Sequence, residues 1–138
     1  MVILDTNVIS ELFRVDPDPA VLRFVHEHDD DLAITSITIH EISYALARLP
    51  HGSRRRRLAD AFLEFTEALT DPQILELDEP SARRSGQVRA HRAALGAPMD
   101  ISDAHIAGIA QQTGYPLATR NVKDFAGIGV ELIDPWAT

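Results

Sequence analysis

The chain of 138 residues is 45% hydrophobic and 25% charged, which is typical of an ordinary globular protein, and we expect residues 1–138 to form a single domain. It contains no cysteine, which excludes disulfides and thiolate metal sites and fits a reducing, cytoplasmic environment. The net charge of −8 argues against broad non-specific adhesion to nucleic acid, and no apolar run is long enough to predict a membrane-spanning helix.

The first part of the chain predicts strands that alternate with helices. Residues 2–5 form an apolar run ending on an aspartate, which predicts a buried strand. "TNVISELF" predicts a short helix capped by Thr or Asn, and "DPDPAVLRFVHEH" a second helix with proline at its start. "LAITS" predicts a strand ending at Thr35 and Ser36, and "ITIHEISYALARL" a helix with one apolar face.

The remaining elements continue this alternation. We predict a helix over about residues 53–69, a strand in "QILEL" and a helix over about residues 80–95. "DISDAHIAGIAQQTG" predicts a helix that Gly114 ends, and "PLATR" and "VELI" predict two last strands around the turn "NVKDF". Strands separated by helices predict an α/β fold, with a mostly parallel central sheet of about five strands flanked by helices.

Polar residues follow several of the predicted strands. They are Asp5, Thr35–Ser36 and Thr119–Arg120–Asn121. In open parallel sheets, ligands bind beyond the carboxyl ends of the strands, so these residues mark the expected site. For Asp5 alone, a simple helix N-cap explains the residue equally well.

Three further acids are candidates, each with a structural alternative. Glu41 lies beside the apolar face of its helix, where a solvated rim position is the more common explanation. Asp103 lies one turn from Ala107 on a face of small residues, which favours an inward carboxylate; the alternative is a capping-box-like pair with Asp100. Asp124 follows a strand end by a few residues, where a solvated turn is the default.

The chemistry follows if these four acids converge on one end of the sheet. Carboxylates in one pocket repel each other, so protons or cations must bind there. Hard oxygen ligands favour Mg²⁺ or Mn²⁺, and one or two such ions can activate water against a phosphate ester. No Ser–His–Asp arrangement is evident, and a cysteine nucleophile is impossible.

Four motifs in order along the chain resemble those of the PIN-domain ribonucleases. They are "ILDTNVISEL", "SITIHEISYAL", "ISDAHIAGIA" and "LATRNVKDF". The closest likeness is to VapC-type toxins of bacterial toxin–antitoxin pairs, and the final "DPW" suits the branch that includes FitB-like proteins. The resemblance implies a three-layer PIN-like fold and a Mg²⁺-dependent endoribonuclease that acts as the toxin of a type II pair.

The resemblance also assigns roles to residues. The family's three core acids, which would be catalytic and hold Mg²⁺ or Mn²⁺, correspond to Asp5, Glu41 and Asp103. The supporting positions correspond to Thr6, Asn7 and Thr119. Some relatives carry an acid directly after the Thr–Arg pair, where this chain has Asn121, so the fourth catalytic group is Asn121, Asp124 or both.

The expected partners follow from the same resemblance. VapC-like proteins usually form homodimers and assemble into hetero-oligomers with a cognate VapB-like antitoxin, whose tail can enter the acidic groove. An arginine of such a partner could satisfy the carboxylates in place of a metal ion. RNA is the implied substrate, and no membrane association is expected.

The basic residues are unevenly distributed, and most lie between Arg48 and Arg92. A run of four is a candidate RNA contact: Arg54, Arg55, Arg56 and Arg57. The alternative is a solvated face in which Arg56 pairs with Asp60 one turn later, and both remain open. The single tryptophan, Trp136, is interpreted as a packing residue, and the few aromatic residues argue against a base-stacking platform.

Other functions fit the sequence less well. An aspartate-nucleophile phosphatase needs a second Asp two residues after Asp5, where this chain has Asn7, and a dinucleotide-binding domain needs a glycine-rich turn there. The non-enzymatic alternative is a PIN-like regulatory module that only binds RNA or an antitoxin.

Overall fold

Five short strands form the centre of the structure, a computed structural model that describes residues 1–137. The strands are β1 (Val2–Leu4), β2 (Leu32–Thr35), β3 (Ile74–Leu75), β4 (Leu117–Ala118) and β5 (Leu132–Ile133). They lie in the order β3-β2-β1-β4-β5, and each neighbouring pair is parallel. The predicted parallel sheet of about five strands is therefore confirmed.

Helices connect the strands and cover both faces of the sheet. They are α1 (Thr6–Leu12), α2 (Pro19–Glu27), α3 (Ser36–Arg48), α4 (Ser53–Glu67), α5 (Glu79–Ala94) and α6 (Ile101–Thr113). Short 3₁₀ helices follow at Asp71–Gln73, Val122–Phe125 and Pro135–Ala137. As predicted, Gly114 ends α6, with a φ of 75° that glycine adopts without strain. Across residues 1–137, none of the helices combines the length and apolarity needed to cross a membrane.

The first strand shows why its sequence is apolar throughout. Val2 and Leu4 belong to the core cluster on the α1–α4 face of the sheet, whereas Ile3 belongs to the cluster on the α5–α6 face. Successive strand side chains point to opposite faces, so a strand covered on both sides must be apolar at every position. The protein is therefore built as three layers, helix, sheet and helix, as the resemblance implied.

The strand ends and one helix cap differ from the prediction. The strands of "QILEL", "PLATR" and "VELI" contain only two ladder residues each. Strand β1 ends at Leu4 because Asp5 caps α1, its side chain accepting a hydrogen bond from the Thr6 amide. The prediction of a Thr or Asn cap for α1 was wrong, and the aspartate at the strand end takes that role.

Helices α5 and α6 approach each other closely at Gly108. A methyl group on Gly108 would lie 2.4 Å from the carbonyl oxygen of Ser81 and 2.7 Å from the amide nitrogen of Ser85. Both atoms belong to the main chain of α5, so no side-chain rotation relieves the contact. The close contact is made by Gly108, beside the predicted small-residue face, whose Ala107 and Ala110 are also buried. This packing fixes the helix that carries Asp103.

We expect Gly108→Ala to lower the free energy of unfolding by about 2–3 kcal/mol, because overpacking forces the two helices apart. Gly86→Ala in α5 is the matched control, since nothing lies within 4 Å of a methyl group there. That substitution is expected to raise the free energy by about 0.5–1 kcal/mol through better helix propensity. Urea denaturation of the two variants measures both changes, and an equal effect of both substitutions would contradict the packing argument.

Candidate active site

A pocket of ≈ 440 Å³ lies at the carboxyl edge of the sheet, where the sequence placed the site. Its lining includes the three predicted core acids, which come from different elements: Asp5 follows β1, Glu41 is in α3 and Asp103 is in the first turn of α6. The structure thus brings together acids that are far apart in the chain.

Asp5 is buried and held by several donors. Its Oδ1 accepts the Thr6 amide at 2.8 Å, and its Oδ2 accepts the hydroxyl of Thr119 at 2.8 Å and the amide of the Asn7 side chain at 3.2 Å. Burial raises the pKa of Asp5, and these hydrogen bonds partly oppose the rise. The N-cap and site explanations are therefore compatible, because one oxygen caps α1 while the carboxylate lines the pocket.

Thr6 connects Asp5 to Glu41. Its hydroxyl donates to Glu41 Oε1 at 2.8 Å and lies 3.0 Å from the hydroxyl of the buried Thr38. Thr38 in turn donates its amide to Thr35 Oγ1, which caps α3. Glu41 is consequently oriented by a chain of hydroxyl groups and is only partly exposed, so the fully solvated rim position considered from the sequence is not observed.

Asp103 is the electrostatic centre of the pocket. Its pKa is raised to about 7, first by burial and then by the nearby charges of Asp5, Asp100, Asp124 and Glu41. The helix cap is made by the Asp100 side chain, which accepts the Ser102 amide at 2.9 Å.

The alternative role considered for Asp103, a capping-box-like pair, is not observed. Within residues 1–137 no group donates a hydrogen bond to the Asp103 carboxylate, whereas Asp5 and Glu41 both accept such bonds. Every buried side-chain oxygen of these residues has a hydrogen-bond partner. Because the Asp103 oxygens have none, they must be exposed to solvent. Asp103 therefore has acceptor capacity free for a cation, a proton or water.

The two candidates for the fourth group occupy different places. Asn121 lines the pocket, and its backbone amide donates to Thr119 Oγ1 at 3.0 Å. Asp124 is exposed in the 3₁₀ helix that follows, but its charge is close enough to raise the pKa of Asp103. Asn121 thus lies inside the pocket, and Asp124 acts on it from the edge.

The run of four arginines lies at the start of α4 and does not present one common face. Arg54 lines a groove next to the acidic pocket, and Glu41 lines both the groove and the pocket. Arg55 turns back and donates to a main-chain carbonyl of the preceding loop, and the last two are exposed. The ion pair considered between Arg56 and Asp60 is absent from residues 1–137.

Sequence reasoning assigned no role in the site to five residues that line the pocket: Ser10, Glu11, Arg14, Arg120 and Trp136. Arg120 and Trp136 both line the pocket, and the guanidinium carbon of Arg120 lies 4.9 Å from the centre of the Trp136 ring. Trp136 does pack against the core, as interpreted, but its ring also borders the pocket. Arg120 was named among the polar residues that follow the predicted strands, but no role was assigned to it.

The donors present suit a hard cation, although they do not form a complete cage. Within residues 1–137, no three His, Cys, Asp or Glu side chains form a group that could hold a metal ion as they stand. Mg²⁺ does not require such a cage, because it usually keeps several waters and binds one or two carboxylates together with substrate phosphates. Asp5 and Asp103, whose pKa values are both raised, provide carboxylates whose charge a cation would relieve.

An α/β domain with a carboxylate pocket at the carboxyl edge of its parallel sheet is the class that this fold and this site define. The PIN domain family model matches residues 2–130, which is most of the chain. The chain belongs to the PIN domain family.

Individual relatives agree with this assignment over their whole length. A VapC ribonuclease of Sinorhizobium fredii is 33% identical over 99% of this chain and 98% of its own length. The toxin FitB of Neisseria gonorrhoeae is 31% identical over 99% of both chains. The crystal structure of FitAcB from Neisseria gonorrhoeae matches with a TM-score of 0.91 and 30% identity, covering 100% of both chains.

Proposed function

We propose that this protein is the toxin of a type II toxin–antitoxin pair and an endoribonuclease that hydrolyses RNA phosphodiester bonds with Mg²⁺ or Mn²⁺. The observation that carries the proposal is the convergence of Asp5, Glu41 and Asp103 on one pocket, where Asp103 accepts no hydrogen bond from any of residues 1–137 and its pKa is raised to about 7. Full-length relatives named as a VapC ribonuclease and as a toxin support the same activity.

The chain's own residues prepare the pocket for a cation and a phosphate. Asp5, Glu41 and Asp103 would hold the ion, and Asn121 and Asp124 are candidates for a further contact through water. Thr6 and Thr119 fix the orientation of two of these carboxylates through hydrogen bonds of 2.8 Å. When bound, the cation supplies activation of water and neutralises charge that develops on the phosphate.

The proposal extends to the partners. We infer that the chain, as a single domain over residues 1–138, forms a homodimer and a hetero-oligomer with a VapB-like antitoxin. A guanidinium group from such a partner would satisfy the carboxylates through charge-assisted hydrogen bonds and compete with the cation. The FitAcB match over the complete chain supports this assembly.

Cleavage of RNA by the purified protein tests the activity. We expect strand scission with Mg²⁺ or Mn²⁺, complete loss in EDTA, and recovery when excess Mg²⁺ is added, because the cation both activates water and offsets the charge of the pocket. Electrophoresis of a labelled RNA measures the products. Scission is the informative product, because an aspartate-nucleophile phosphatase would also need Mg²⁺ but would leave the strand intact.

One outcome would favour the alternative. Tight RNA binding without scission under any divalent cation would indicate a non-catalytic PIN-like module that regulates through binding alone. Undiminished scission in EDTA would instead refute the metal-dependent mechanism.

A further inference from the structure

Arg120 is a cation at the rim of the acidic pocket that pairs with no carboxylate of the described residues. Within residues 1–137 its guanidinium group forms no ion pair, although Asp5, Glu41 and Asp103 line the same pocket. The other pocket arginine, Arg14, is occupied, because its Nη1 lies 3.1 Å and 3.3 Å from the two carboxylate oxygens of Glu11.

The Arg120 side chain is instead stacked on an anchored ring. The Trp136 ring packs against the core, and the Trp136 amide donates to Asp134 Oδ1 at 2.9 Å. At the other end, the Arg120 amide donates to Asn7 Oδ1 at 3.3 Å, and the Asn7 side chain also donates to Asp5. The stacked pair is thus attached to the same hydrogen-bond network that holds Asp5.

Stacking leaves the guanidinium group able to bind an anion. An aromatic face supports the planar cation from one side, while its N–H donors lie in the plane and remain available to a phosphate. The surroundings favour such a group for a polyanionic ligand. In a chain of net charge −8, an RNA backbone approaching three carboxylates is repelled unless nearby cations offset that charge.

We infer that Arg120, held in place by Trp136, contacts an RNA backbone phosphate at the rim of the acidic pocket and so positions the strand. The inference rests on the proposed function and adds a residue pair to it. Trp136 lies outside residues 2–130, the segment that the family model matches.

Steady-state cleavage of a short single-stranded RNA in Mg²⁺ tests the role of the pair. Arg120→Ala is expected to raise KM about tenfold and leave kcat within about twofold, because a contact made equally in ground and transition states changes KM alone. Trp136→Leu is expected to raise KM about threefold by releasing the stacked group, and Trp136→Phe to remain close to the wild type. Arg23→Ala in α2 is the control, because it removes the same charge from an exposed position outside the pocket.

Binding measured without cleavage separates this inference from the proposed function. Fluorescence anisotropy of the same labelled RNA, with Asp103→Asn as the common background, gives the affinity at several salt concentrations. Adding Arg120→Ala is expected to reduce the slope of log affinity against log salt by about 0.7, the value for one single-strand phosphate contact. Adding Arg120→Lys is expected to keep the slope and recover part of the affinity.

The outcomes have distinct meanings. Equal effects of Arg120→Ala and Arg23→Ala on KM and on salt slope would overturn the inference and leave the proposed function intact. Loss of affinity in Trp136→Leu greater than in Arg120→Ala, with an unchanged slope, would also overturn it by indicating that a base occupies the ring. If Arg120→Ala weakened binding of an acidic protein segment and left RNA affinity unchanged, the occupant would be a protein partner. Arg120-dependent binding without any scission by the wild type would refute the nuclease and retain the phosphate contact.

Discussion

Asp5→Asn is expected to reduce RNA cleavage by about 10³-fold or more, equivalent to about 4 kcal/mol of transition-state stabilisation, while the protein stays folded. Asp5 is the most deeply buried of the three core acids and is fixed by donors on both oxygens. A neutral amide keeps its shape but removes a charge that would hold the cation. Initial rates in Mg²⁺ measure the activity, and thermal melts measure the fold.

The fold is expected to survive because asparagine caps a helix as well as aspartate does. Oδ1 of the new side chain can still accept the Thr6 amide, and the Thr119 hydroxyl can reverse its role and accept. The cost falls on Asn7, whose side-chain amide donates to Asp5 Oδ2 at 3.2 Å and would then face another donor. We estimate this cost at about 1–2 kcal/mol, which the loss of a buried charge partly offsets.

A matched control distinguishes the pocket from the cap. Asp78 also caps a helix, α5, with its side chain, which accepts the Ser81 amide at 2.9 Å, but it lies outside the acidic pocket. Asp78→Asn should therefore leave cleavage within about twofold of the wild type, because asparagine preserves the cap. Retention of more than a tenth of the activity in Asp5→Asn, with a normal response in the control, would contradict the assigned role.

Much of the site could be predicted because topology, rather than detailed packing, determines it. Carboxyl ends of parallel strands meet at one edge, so a polar residue directly after each strand is brought to that edge. This rule places Asp5, Thr119 and Asn121 without any knowledge of side-chain rotamers. Asp103 could be placed because the small residues of α6 allow the helix to lie close to its neighbour.

The stacked pair could not be predicted, because it depends on a contact between segments distant in the chain. Trp136 follows the last strand, and no period or spacing relates it to Arg120. Its partial burial against the core agrees with the packing interpretation. The same ring also presents a face to Arg120 at the pocket, which that interpretation did not include. Similarly, small residues of α6 could be recognised in the sequence. Which of them lies closest to α5 depends on how the helix is rotated about its axis, and in the structure it is Gly108.

Asp103→Asn is expected to stabilise the metal-free protein at pH 8, in addition to removing cleavage. In the folded protein the Asp103 pKa is raised from 3.8 to about 7, so this carboxyl binds more protons folded than unfolded between those pH values. Its contribution to stability is therefore fully present below pH 3.8 and is lost as pH rises through about 7. A pKa rise of this size corresponds to about 4 kcal/mol in the free energy of unfolding for a fully buried group. Because Asp103 is partly solvated, we expect about 2 kcal/mol.

Urea denaturation in EDTA at pH 4 and pH 8 measures this effect against Asp60→Asn, which removes an exposed acid of α4. We expect the Asp103 variant to exceed the wild type at pH 8 and to match it at pH 4, with no difference for the control at either pH. Saturating Mg²⁺ is expected to reverse the order at pH 8, because ligand at about 100 times its Kd stabilises the wild type by about 2.7 kcal/mol and the variant holds the ion poorly. If the variant were less stable than the wild type in EDTA at pH 8, the inference that burial and neighbouring charges destabilise the ionised Asp103 carboxylate would be wrong. If the variant were more stable than the wild type in EDTA and Mg²⁺ did not reverse this order, the ionised Asp103 would be destabilised by its surroundings without binding the cation.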